Sequence, residues 1–118
     1  MRAFKRTDRV GDLVQKELAI ILQAKFRDGD LPMITVSAVQ LSRDLAYAKI
    51  YVSTLGTEIE IKAVVKTLNT MAPKLRYLLA QTIRIRTTPV LQFVYDSSIV
   101  EGSKLSALID SVDPDKKD

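Results

Sequence analysis

In this chain of 118 residues the groups best equipped for chemistry are cations and an aromatic ring rather than catalytic side chains. Between Ile61 and Tyr95 stand Lys62, Lys66, Lys74, Arg76, Arg84 and Arg86, and no Asp or Glu falls in that window. At the chain's mean acid content about four would be expected there. Lys74, Tyr77, Gln81 and Arg84 recur at helical spacing, which predicts one face with two cations flanking a ring. Such an array neutralises phosphates while the ring stacks on an unpaired base. Lysines simply solvating an exposed helix would explain any one of these residues. A group without balancing carboxylates points instead to a polyanion. Lys5, Arg6 and Arg9 form an auxiliary basic cluster near the start, and from Asp96 onward six acids face three lysines. The net charge of +4 therefore conceals a chain that is polarised along its length. Tyr47, Lys49 and Tyr51 invite the same nucleic-acid reading, but Tyr is a good strand former on a half-buried sheet, and that explanation is preferred.

The composition leaves little room for catalysis. With neither Cys nor His, disulfides, zinc sites of the usual type and thiol or imidazole chemistry are excluded. Acid/base work would fall to Asp, Glu, Lys or Tyr, and none is persuasively arranged. Asp28 and Asp30 flank Gly29 in a turn, where aspartates serve local hydrogen bonding more readily than a hard cation. Gly-x-x-x-x-Gly-Lys, Gly-x-Gly-x-x-Gly and Gly-x-Ser-x-Gly motifs are all missing from the sequence. The expectation is a protein that is not an enzyme and holds no cofactor and no metal. No apolar run approaches the roughly 18 residues needed to span a bilayer. The lack of Cys fits the cytosol. A cytoplasmic protein without membrane contact is expected.

These residues must be positioned by a small set of elements. Thr7 is a plausible N-cap for a first helix whose apolar stripe is Val10, Leu13, Val14, Leu18 and Ile21, ended by Asp28-Gly29-Asp30-Leu31-Pro32. Two β-rich runs follow, Ile34 to Leu41 and Leu45 to Thr54, joined by Ser42-Arg43-Asp44 and expected to pair antiparallel. Alternation in the second run sets Ala46, Ala48, Ile50 and Val52 against Tyr47, Lys49, Tyr51 and Ser53. Thr57-Glu58-Ile59-Glu60 has the form of a capping box. It opens a helix that Pro73 should divide, giving two helices that meet at a kink at Met71, Ala72 and Pro73. Val90 to Tyr95 reads as a third strand. Leu105, Leu108, Ile109 and Val112 suggest a short terminal helix, and residues 113–118 a flexible polar tail. The result is an α+β domain over residues 1–112, order α-β-β-α-kink-α-β, with helices on one face of a three-stranded mixed sheet.

Several segments resemble the bacterial ribosome-binding factor A family. Val10-Gly11-Asp12-Leu13-Val14-Gln15-Lys16-Glu17-Leu18 is similar to its first helix, and Leu41 to Ser53 to its hairpin. The most specific match is Ile83-Arg84-Ile85-Arg86-Thr87-Thr88-Pro89-Val90-Leu91-Gln92-Phe93 followed by Tyr95-Asp96-Ser97-Ser98, with two alternating arginines, a proline three residues on and an apolar-x-Phe strand. The resemblance implies a type II KH-like fold in which a helix-kink-helix replaces the Gly-x-x-Gly loop. It also implies binding to the small ribosomal subunit, near the 5′ end of 16S rRNA, during late maturation and cold adaptation. Where the family has an interhelical Ala-x-Gly, this chain has Met71-Ala72-Pro73. Proline forces a kink by removing a backbone donor but does not offer glycine's close approach to a phosphate. Lys62, Lys66, Lys74, Arg76, Tyr77, Arg84 and Arg86 are the expected RNA-binding residues, on a monomer. A protein-protein adaptor and a general single-stranded RNA-binding module are the alternatives.

Overall fold

The computed structural model describes residues 6–85 and 87–97. Its elements run α1 (Arg6–Arg27), β1 (Thr35–Leu41), β2 (Tyr47–Ser53), α2 (Glu58–Thr82) and β3 (Val90–Tyr95). The terminal helix and tail expected over residues 98–118, together with Lys5 and Arg86, lie outside the described residues.

Helix α1 starts at Arg6, so Thr7 lies within its first turn and is not the cap; Asp8 still places a carboxylate at the positive end of the helix dipole. Its other end closes as anticipated. Gly29 takes φ +84°, its N–H donates to the Phe26 carbonyl and the Asp30 N–H reaches back to Lys25, the paired bonds of a left-handed C-terminal cap.

β1 and β2 pair antiparallel, with a bulge between Val36 and Ala38, and β2 pairs with β3 in parallel. The strand order is β1-β2-β3. Ala48, Ile50 and Val52 of β2 are buried with Val36, Leu91 and Phe93, while Tyr47 and Lys49 lie exposed on the opposite face. The alternation read from the sequence is thus the sidedness of the sheet. The hairpin connection, however, spans residues 42–46 rather than three residues. The Asp44 carboxylate accepts from the Ser42 hydroxyl and the Ala46 N–H, and Leu45 adopts φ +62°, so the chain completes a wider turn before β2 begins.

The capping box is present: the Glu60 N–H donates to the Thr57 hydroxyl at 3.1 Å and the Thr57 N–H to the Glu60 carboxylate at 2.7 Å. Gly56 precedes it at φ +142°. A side chain there would start 2.9 Å from the Glu60 carboxylate, so glycine leaves room for the box to close.

The expected division of α2 is corrected. A single helix runs from Glu58 to Thr82 with Pro73 inside it. Proline cannot donate to the Asn69 carbonyl, and in an isolated peptide that loss would end the helix. Here Leu68, Ala72, Leu75 and Leu79, spaced four, three and four apart across the proline, are all buried in one cluster with α1 and the sheet. Burying each leucine is worth about 1.5–3 kcal/mol, enough to carry the helix through one missing bond.

Candidate nucleic-acid interface

Two polar residues of α2 reach across to the backbone at or beside β3. The Asn69 amide donates to the Phe93 carbonyl at 2.9 Å and accepts the Phe93 N–H at 2.8 Å. It thereby supplies the backbone partners that the β3 edge otherwise lacks. Arg76 points its Nε and Nη2 at the Thr88 carbonyl, at 3.0 and 2.8 Å, and fastens the segment that leads into β3. Two of its five donors are thus held by the protein's own backbone.

The other described residues of the expected set face water. Lys62, Lys66, Lys74 and Tyr77 are exposed, Tyr77 to 63%. Lys62, Lys66, Thr70, Lys74 and Tyr77 recur every three or four residues and form one ridge roughly 22 Å long at 1.5 Å per residue. Met71 is half-buried, Ala72 is buried and Pro73 is exposed on this ridge's flank. The predicted shared face breaks at one point. Arg84 does not continue it, because Ile83 leaves the helix at φ −106°, ψ 144° and is buried, which carries Arg84 into an extended segment where it stays exposed. Arg9 is exposed on α1, and the side chain of Arg6 is outside the description.

The ridge is not wholly without acid. Glu58, just upstream of the acid-free window, lies 3.7 Å from the Lys62 ammonium, a pair whose side chains are 85% and 77% exposed. An ion pair in that much solvent contributes roughly 0–1 kcal/mol and leaves Lys62 available to a stronger anion. Lys66, Lys74 and Arg84 have no ion-pair partner among the described residues. The roles of Asn69 and Arg76 carried no signal in the helical periodicity, which assigns both to a polar side.

A model of the family described as ribosome-binding factor A matches residues 6–109. The chain belongs to the ribosome-binding factor A family. It is 45% identical over 119 residues to the ribosome-binding factor A of Chromohalobacter salexigens, covering 99% of this chain and 91% of that one. The fold is similar to the crystal structure of ribosome-binding factor A from Thermus thermophilus, with TM-score 0.66 and 27% identity over 77% of this chain and 97% of that chain. It is also similar to a Thermus thermophilus ribosome binding factor A homology model fitted into the cryo-EM map of a 30S complex, with TM-score 0.60 and 29% identity over 72% of this chain and 89% of that chain. The observed order α-β-β-α-β is consistent with the KH-like order inferred from the family, with one undivided helix where a helix-kink-helix was expected. Among the described residues no group of His, Cys, Asp and Glu could hold a metal ion, and no helix is long and apolar enough to cross a membrane.

Proposed function

We propose that this chain is an assembly factor that binds the immature small (30S) ribosomal subunit through 16S rRNA near its 5′ end and promotes late maturation and processing of that RNA, including at low temperature. The observation that carries the reading is the exposed ridge of Lys62, Lys66, Lys74 and Tyr77 on a helix whose opposite side is locked into the core. Cations on flexible stems meet phosphates at a range of positions, and a ring amid them offers a stacking surface to an unpaired base. Arg84 extends the basic surface beyond the helix, Arg86 is proposed as a further phosphate ligand, and Lys5, Arg6 and Arg9 are proposed as an auxiliary entry. The 30S complex of the Thermus relative supports the same partner.

Co-sedimentation with purified subunits tests this reading. The chain should pellet with free small subunits and not with assembled ribosomes. With about three phosphates neutralised, log affinity should fall by roughly two to three units for each tenfold rise in salt. A flat salt response would overturn the electrostatic interface.

A further inference from the structure

Where the N-terminal half of α2 meets the end of β3, the surface holds an open groove of about 700 Å³. Ile61, Val65 and Tyr95 give it an apolar floor, and Glu58, Lys62, Lys66 and Ser97 stand around it. Ile61 begins the apolar stripe of α2, yet unlike Val64 and Val65 it does not pack against the buried core. Leu55, 94% exposed, and Ile59, 81% exposed, lie at the same end of the helix. Exposed apolar side chains gathered beside cations mark a surface made for a partner.

We propose that the partner is this chain's own residues 98–112, docked with their apolar side in the groove and Glu101 toward Lys66. Three observations select that occupant. Ser97 itself lines the groove, so the segment begins at its rim and needs no linker. Leu105, Leu108, Ile109 and Val112 fall on one stripe at helical spacing, and Glu101 precedes Leu105 by one turn on that same side. The charges are complementary: residues 98–112 carry Glu101 and Asp110 against the single Lys104, whereas Lys66 has no ion-pair partner among the described residues and Lys62 has only the solvated Glu58. Four residues of extended chain span at most roughly 14 Å, which brings Glu101 within reach of either lysine. Docking covers one end of the cationic ridge, but the proposal stands on the groove and the sequence, not on what the ridge binds.

The chain has no cysteine, so a pair introduced into the full-length protein reports a single proximity. Ile61→Cys with Leu105→Cys should close an intramolecular disulfide under mild oxidation at least tenfold faster than Lys49→Cys with Leu105→Cys, whose first site is on the open face of the sheet. Equal rates would overturn the proposal. So would crosslinks that form mainly between two chains, which would make a second copy the occupant. A measurement without cysteines guards against misfolding of the pair. Leu105→Asp with Leu108→Asp in the full-length chain should shift the amide resonances of Ile61, Val65 and Lys66 and leave those of α1 unmoved. Unchanged resonances in the groove would refute docking.

Discussion

Along one side of α2, Leu68, Ala72, Leu75 and Leu79 are buried to 8% exposure or less; along the other, Lys62, Lys66, Lys74 and Tyr77 stand in water. The backbone is the same, so the two sides differ only in what their side chains meet. The inner side fixes the helix against α1 and the sheet, and the exposed side is thereby held in place by contacts that its own residues do not make. Asn69 and Arg76 show that polarity alone does not sort residues between the two. Both are polar, and both bind backbone at or beside β3. Lys66 and Lys74 keep donors that the described residues leave unclaimed, whereas Arg76 spends two of its own on Thr88, so the two kinds of cation are not equally free to meet an anion.

The largest effect is expected on the inner side. Leu75→Ala removes a fully buried side chain at the centre of the stripe and should cost about 2–5 kcal/mol in a denaturant titration. Subunit binding by the fraction that remains folded should be unchanged at low temperature. A loss below 1 kcal/mol would mean that the helix is not held by this stripe. On the outer side the expectation inverts. Lys62→Glu with Lys66→Glu should weaken binding to small subunits tenfold or more and reduce the salt slope by roughly 1.5 units, with stability within about 0.5 kcal/mol of the parent. Unchanged binding would show that the interface lies elsewhere.

Much of this arrangement was legible in the sequence because it is periodic. The sidedness of β2 and the capping box at Thr57 follow from spacing and residue type, and so do Val10, Val14 and Leu18 of the α1 core; α1 also buries Leu22, however, which the stripe omitted, and leaves Leu13 and Ile21 half-buried. What escaped was decided by tertiary contact. Pro73 reads as a break until Leu68, Ala72, Leu75 and Leu79 are seen to pack on both sides of it. Arg84 continues the helical spacing of Lys74 and Tyr77 on paper, but burial of the extended Ile83 ends the helix first. Glu58 lay just outside the acid-free window, and no count over residues could show that it leans on Lys62. Of the candidate site, then, the cations were readable; which of them the fold already uses was not.

Arg76 is the residue on which the two sides can be told apart most finely. Its position in the acid-free window made it a phosphate ligand by composition, whereas its Nε and Nη2 already grip Thr88. Arg76→Ala should therefore cost about 1–2 kcal/mol of stability, the value of a charge-assisted bond in a half-buried setting. It should leave the salt slope of binding close to that of the parent. A slope reduced by about one unit with stability intact would move Arg76 to the outer set.

The smallest expected effect concerns a charge that resembles the outer side in exposure and the inner side in role. Asp44 lies in the β1–β2 turn, where the Ser42 hydroxyl and then the Ala46 N–H donate to its carboxylate and hold it below its ordinary value of 3.8. A carboxylate lowered in the folded state contributes its stability in full above its unfolded value and loses it as pH falls through the folded one. The difference in Tm between the parent and Asp44→Ala should thus be level from neutrality down to about pH 5. It should narrow as pH drops below the usual carboxylate range. Solvent around the turn keeps the difference small, and neither subunit binding nor its salt slope should change. A gap that widened in acid would show that the ionised form of Asp44 is not the one the turn holds, and exposure would then be a poorer guide to role than Arg76 and Lys66 together imply.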